Sequence, residues 1–285
     1  MARMWTTSLD LPALLRFIGF AVGGGLGMYW GIGLAFEWLY YRRRSEAQAW
    51  KCQPKRWPSP SARRREILLG SVNMTVGSIA SGFFVYYVAK GGYTTLYFSL
   101  EQHGLAHAIG TGLVYVFGTD LALYLAHRMF HTPRLYKLVH KVHHRWVSPT
   151  VFTAAAMHPV EWVTYQSIMA IPLFFLPVHV GAVIATLLFT NYYALVDHSG
   201  VKLHSYFPFI APTAFHDDHH AHFHVNYGQT FPLWDRVFGT MRRKNRKYGP
   251  AVFGGGGEGG GASDEVWDYS PKAAAAAAPP VEERA

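Results

Sequence analysis

Three groups of histidines set the strongest condition on how this 285-residue chain can fold. The first is His127-x-x-x-His131, and the second is His140-x-x-His143-His144. The third, His216-x-x-His219-His220, repeats the second spacing far down the chain. Positions three and four apart share one face of a helix, so each group is expected to aim its imidazoles at one point. Eight imidazoles exceed what a single metal ion takes, and their number points to two ions side by side. Imidazole serves iron, zinc, copper and nickel alike, so the ligand type alone names no metal. A fold that satisfies the pattern has to bring 127–144 and 216–220 to one place, whatever lies between them.

What lies between them is apolar. Half the residues are hydrophobic and 15% are charged, against about 25% charged in an average globular chain. Residues 13–41 are apolar except for Arg16 and Glu37, 67–89 are uncharged, and 104–125 are broken only by His107 and Asp120. Each is long enough to cross a bilayer, which takes about 20 apolar residues. Gly23, Gly24, Gly25, Gly27, Gly31 and Gly33 allow close helix packing in the first, which is too long for a cleaved signal peptide. Residues 160–196 form a longer apolar run with Pro172 and Pro177 inside it. The expectation is two antiparallel helices with a turn near Pro177, since an even number of crossings is needed for His216 to meet the first two groups.

Charge sets the orientation. Residues 42–66 hold nine Lys or Arg, the density of a cytoplasmic loop. Two further spans return the chain to that side at His127, where Arg128, Lys137, Lys141 and Arg145 agree. The net charge of +9 therefore sits between apolar segments rather than in a stripe beside stacking aromatics, and no nucleic-acid partner is expected. A single cysteine, Cys52, excludes an intrachain disulfide framework and a cysteine-based zinc site. The expected fold is an all-α integral membrane protein. About four transmembrane helices in two hairpins are topped by a cytoplasmic, histidine-rich helical metal site. Residues 1–119 are expected to hold the N-terminal transmembrane helices and the basic loop, and 120–247 the histidine-bearing domain. Residues 248–285, with a glycine tract and an Ala/Pro tract, are expected to be a disordered tail.

The motifs HRMFH (127–131), HKVHH (140–144) and HDDHH (216–220), set between apolar spans, resemble the sterol desaturase / fatty acid hydroxylase superfamily. The resemblance runs over about 120–240 and takes in LYKLVHKVHHRWVSPTVF, HPVEW at 158–162, DHSG at 197–200 and NYGQTFPLWDRVFGT at 226–240. The last run, with Trp146 and Pro149-Thr150, is similar to C-5 sterol desaturases; HPVE, DHSG and Phe238-Gly239-Thr240 are also similar to C-4 methylsterol oxidases. The resemblance implies that 120–247 is a fatty acid hydroxylase-type catalytic domain with a non-haem diiron centre. It implies use of O2 and of electrons from NAD(P)H through cytochrome b5 or a similar donor. No His-Pro-Gly-Gly haem motif is present, so that donor is expected to be a separate protein. The implied substrate is a lipid, with a sterol favoured over a fatty acyl chain, and the implied location is the endoplasmic reticulum membrane.

Residue by residue, His127, His131, His140, His143, His144, His216, His219 and His220 match the family's ligand positions, and His198 in DHSG is the expected ninth ligand. Ligating histidines give their other N–H to a carboxylate or carbonyl, which makes Asp120, Asp197, Asp217 and Asp235 candidates to hold them. A plain ion pair with Arg128 or Arg236 is the alternative for any of these. Asn191 is a candidate to hold a metal-bound water, with a buried helix asparagine as the alternative, and His158 is either a further support or a helix cap. His103, His107, His179, His204, His222 and His224 fall outside the spacing and receive no role. Two other classes fit less well. A zinc-dependent membrane hydrolase lacks its H-E-x-x-H here, and a metal transporter carries polar groups in mid-membrane, whereas these groups flank the spans.

Overall fold

The computed structural model describes residues 9–205, 207, 209–249, 252, 257–259 and 264–270. The first apolar run is helix α1, Leu11–Phe36, drawn out by a π turn to Tyr41. Asp10 caps it by accepting from the Ala13 N–H at 3.0 Å, and Pro12 occupies the first turn, where a missing N–H goes unnoticed. One turn, α2 (Ala47–Trp50), lies in the basic loop. Helix α3, Pro60–Ala89, starts from a Ser59 cap and runs back along α1. The two approach so closely that a Cβ on Gly82 would lie 2.6 Å from the Ile18 Cα; only glycine permits that contact. Helix α4, Leu105–Phe130, is stopped by Thr132-Pro133 and followed by α5, Pro133–Leu138. Helices α6 (Pro159–Ala170), α7 (Val180–Asp197), α8 (Thr213–His222) and α9 (Leu233–Val237) complete the chain, and the described residues form no strand beyond isolated bridges.

Among the described residues, four helical stretches are long and apolar enough to cross a membrane: Leu11–Tyr41, Pro60–Ala89, Leu105–Phe130 and Val180–Asp197. Their outer faces carry large exposed apolar side chains, among them Phe20, Leu68, Phe83, Leu113 and Leu188. So large an apolar surface suits lipid rather than water. Inside, Tyr29, Met74, Phe152 and Trp162 pack in one cluster, and Tyr115, Leu123, Met169 and Val183 in another.

The apolar run 160–196 goes out and comes back, but not as two full spans. Helix α6 has 12 residues, about 18 Å at 1.5 Å per residue, against a hydrocarbon core of about 30 Å. The path turns through Pro172 and Pro177, and α7 alone returns as a long helix. At the turn, the Thr95 and Tyr97 N–H groups donate to the carbonyls of Leu173 and Val178 at 2.9 and 3.2 Å. Lys90 pairs with Asp10 at 3.0 Å at this same end. At the other end, the Cys52 N–H donates to Gly200 O at 2.8 Å, and the Gln53 amide donates to Val147 O at 2.7 Å. The basic loop and all three histidine groups thus share one end of the bundle. Single cysteines at exposed Ser45, Lys137 and Arg236, in a Cys52→Ser background, should react with an impermeant thiol reagent from one side of a sealed membrane. A cysteine at Ser99 should react only from the other. Labelling of Ser45 and Arg236 positions from opposite sides would break this arrangement.

Part of the expected tail is not structureless. The Trp267 N–H donates to Arg242 O at 2.8 Å, the Lys244 N–H donates to Glu265 O at 2.8 Å, and the Tyr269 ring packs on Phe215 at 5.3 Å. The short aromatic run Val266-Trp267-Asp268-Tyr269 supplies contacts that the surrounding glycine and Ala/Pro tracts conceal in a compositional reading. Most of those tracts lie outside the described residues.

Candidate metal centre

Four elements deliver histidines to one place. The last turn of α4 brings His127, and its C-cap is His131; the C-cap of α7 is His198; α8 brings His216, His219 and His220. His140, His143 and His144 lie on a 3₁₀ turn, His140–Arg145, rather than on an α-helix. The ligand nitrogens fall into two buried groups, each with all its atoms within 4.8 Å of one another: His127, His131, His140, His144 and His219, and then His143, His198, His216 and His220. The nine expected ligands are therefore together. The expectation that each sequence group aims at one point is corrected, however. In each motif the pair four apart stays in one group, while the residue three along crosses to the other: His140 and His144 share the first group and His143 joins the second, whereas His216 and His220 share the second and His219 joins the first.

The hydrogen bonds around the rings fix which nitrogen carries the proton. His140 Nδ1 donates to Glu161 Oε1 at 2.7 Å, His127 Nδ1 to Tyr227 O at 2.8 Å, and His219 Nδ1 to Val225 O at 2.6 Å. His198 Nδ1 donates to Asp197 Oδ1 and Ala194 O, both at 2.7 Å, and His143 Nδ1 faces Ala156 O at 3.4 Å. The Gln229 amide also lies 2.8 Å from His127 Nδ1; with its oxygen turned inward it shares the same N–H. With the protons on Nδ1, the Nε2 atoms are bare lone pairs. Yet His127 and His140 face each other through Nε2 at 3.2 Å, and His143 and His198 do so at 3.3 Å. Two lone pairs cannot form a hydrogen bond. His131 Nε2 and both nitrogens of His220 are buried with no hydrogen-bond partner, at a cost of about 1–3 kcal/mol for each unsatisfied polar group. A cation removes both defects, so the residues present fit bound metal. Burial first, and neighbouring imidazoles next, hold His144, His216, His219 and His220 below the ordinary histidine range, and push His140 and His143 down to about 3. These six rings are therefore neutral near pH 7, the form that binds metal.

The remaining candidates divide. Asp197 bonds His198 directly. Asp235 acts one layer out: it accepts from the N–H groups of Tyr227 and Gly228 at 2.8 and 2.7 Å and so fixes the carbonyl that orients His127, with burial pushing its carboxyl up to about 6. Asp120 instead accepts from the Trp234 indole at 2.8 Å, and Asn191 donates to Leu187 O at 2.8 Å. Each sits seven residues before its histidine, about 10.5 Å along a helix axis, which is beyond hydrogen-bond reach. The Asp217 carboxylate accepts from the Gln53 amide at 3.0 Å. His158 caps α6 by accepting from the Val160 N–H at 3.2 Å.

Sequence reasoning missed several supports. Glu161 stands inside HPVEW and accepts from His140, a partner that histidine spacing does not mark. His224, fully buried with its Nδ1 3.1 Å from that of His131, lay outside the spacing. Two polar residues of α3 also act, Glu66 from the end of the expected loop and Asn73 from inside the expected span. Glu66 accepts from the Thr150 hydroxyl at 2.6 Å and from the Thr153 hydroxyl, and the Asn73 amide donates to Ala155 O and Met157 O at 2.8 and 2.9 Å. They tie 150–157 to the bundle and so set the carbonyl that faces His143.

Residues 112–240 match the model of the fatty acid hydroxylase family. The chain is 38% identical over 154 residues to a Delta(7)-sterol 5(6)-desaturase of Candida glabrata, covering 53% of this chain and 42% of that one. It is 37% identical over 154 residues to a Delta(7)-sterol 5(6)-desaturase of Saccharomyces cerevisiae, with the same coverage. With rat lathosterol oxidase it shares 36% identity over 155 residues, 53% of this chain and 52% of the relative. The matches thus span about half the length of these curated relatives. No solved structure matches. Residues 112–240 are thus similar to the fatty acid hydroxylase family, and the relatives matched over much of the same stretch are named sterol desaturases and lathosterol oxidase.

Proposed function

We propose that this chain is a membrane-bound oxidoreductase that introduces a double bond into a sterol or closely related lipid, with two iron ions held by the nine histidines. The observation that carries the reading is the pair of buried imidazole groups with converging lone pairs, in a chain whose relatives are named sterol desaturases and lathosterol oxidase. His127, His131, His140, His144 and His219 would hold one iron, and His143, His198, His216 and His220 the other. Bound iron would supply the activation of O2 needed to oxidise an unactivated C–H bond. The chain's own part is to keep the site dry and the rings fixed: Glu161, Asp197 and the carbonyls of Tyr227 and Val225 orient the imidazoles, and burial excludes water that would divert the oxidant. Electrons would come from NAD(P)H through a separate cytochrome b5-type donor. The basic loop favours a cytoplasmic site, in the endoplasmic reticulum membrane.

Metal analysis of the purified protein should find iron, near two per chain, rather than zinc; zinc without iron would favour a hydrolase. Expression in a host lacking sterol 5(6)-desaturation should restore the unsaturated sterol, and accumulation of a hydroxylated fatty acyl lipid instead would overturn the substrate class. Glu161→Gln keeps an acceptor for His140 but removes the charge behind it. Iron affinity should fall by about 10- to 100-fold, as for other lost ligand-orienting partners, with the protein still folded by circular dichroism. Unchanged iron retention against a chelator would remove Glu161 from this role.

A further inference from the structure

Away from the histidines, α1, α3 and the basic loop line a cavity of about 820 Å³. Its walls change character with depth. Leu26, Ile67, Leu68 and Thr75 line the part between the two spans, while Arg44, Arg63 and Arg64 stand at its mouth. The three guanidiniums differ. Arg63 is already committed, to Glu37 at 2.6 Å and to Glu66 at 3.5 Å, which also neutralises the one carboxylate lining the cavity. Arg44 lies over the Trp57 ring at 4.7 Å, and both Arg44 and Arg64 are exposed and make no ion pair among the described residues. Trp30 and Trp57, amphipathic rings of the kind found at a membrane interface, sit on the walls.

We propose that this cavity is a binding site for a membrane phospholipid with an anionic headgroup. The phosphate would lie between the Arg44 and Arg64 guanidiniums, and an acyl chain would run down the apolar cleft between α1 and α3. The occupant follows from the order of the walls. A soluble anion finds two cations but gains nothing from the apolar cleft, and a neutral lipid fills the cleft but leaves both cations without a partner. The volume lies within the range of lipid- and drug-sized pockets, about 300–1,000 Å³, so it holds a headgroup and the upper part of a chain rather than a whole lipid. The site is separate from the metal centre and does not depend on the proposed reaction.

The test uses the full chain in a neutral detergent, incubated with equal amounts of phosphatidylglycerol and phosphatidylcholine and examined by native mass spectrometry. The expected result is retention of phosphatidylglycerol over phosphatidylcholine by roughly tenfold or more, given two basic contacts at the membrane surface. Retention should fall to parity in the double variant R44Q/R64Q. Millimolar inorganic phosphate should not displace the lipid, because the cleft contributes to holding it. A second variant, Thr75→Trp, fills the cleft without touching either arginine and should also abolish retention. Equal retention of the two lipids by the unaltered protein, displacement by phosphate alone, or full retention in Thr75→Trp would each overturn the proposal; the last would mean that the arginines merely attract lipid to the surface.

Discussion

His143→Ala is expected to yield a chain that still inserts into the membrane but turns over at least about 100-fold more slowly, a loss at the upper end of that seen when mere outer partners of metal ligands are removed. His143 supplies one of only four imidazoles in its group, and its Nε2 faces that of His198 at 3.3 Å. Removing it leaves three ligands and opens a space beside them that water can enter. Insertion should survive because the four apolar helices make their contacts elsewhere, through clusters around Tyr29 and Tyr115. Iron content, turnover and the membrane-associated fraction, measured on the same preparation, separate the two effects. Full iron and full turnover in this variant would remove His143 from the centre and leave the second group without its link to the 3₁₀ turn.

Deleting the chain from Asp264 onward is the other change with a large expected effect. Tyr269 donates its hydroxyl to Asp218 Oδ2 at 2.7 Å and accepts from the Asn226 amide at 2.7 Å. Asn226 also donates to Phe215 O and accepts from the Arg242 N–H, while Arg242 pairs with Asp218 at 2.7 Å. These bonds clamp α8, which carries three ligands, to the loop whose Val225 and Tyr227 carbonyls orient His219 and His127. The truncated chain should lose most of its iron and activity. Tyr269→Phe keeps the ring on Phe215 and removes two hydrogen bonds, which should cost about 1–3 kcal/mol, with activity changed only a few-fold. A truncated chain with full iron and turnover would show that α8 is held without this segment.

Much of the site could be read in the sequence because helical spacing is a local property, and the nine imidazoles are found together. What spacing could not reveal is which residue serves which group. That division depends on how four separate elements meet, as with His143 and His219, which leave their nearest sequence partners. Distance along a helix defeated Asp120 and Asn191: a shared face two turns away is still far away. Asp197, beside His198 in DHSG, is a support the sequence does mark; Glu161 from α6 and Asn73 from within α3 are brought in by tertiary contacts, and no pattern local to the histidines marks them. The fold was legible in outline from its apolar runs. The short α6 was not, because hydropathy reports a run's total length and not where its helix breaks.

The crossing of His143 and His219 between groups has a consequence for how the centre fills. The 3₁₀ turn and α8 each contribute to both groups, so neither segment can shift to suit an ion in one group without moving a ligand of the other. If two ions bind as proposed, the first would do the ordering for the second, which would meet a site already assembled. Loading should be cooperative, with empty and doubly filled molecules dominating at half-saturating iron and the singly filled form scarce.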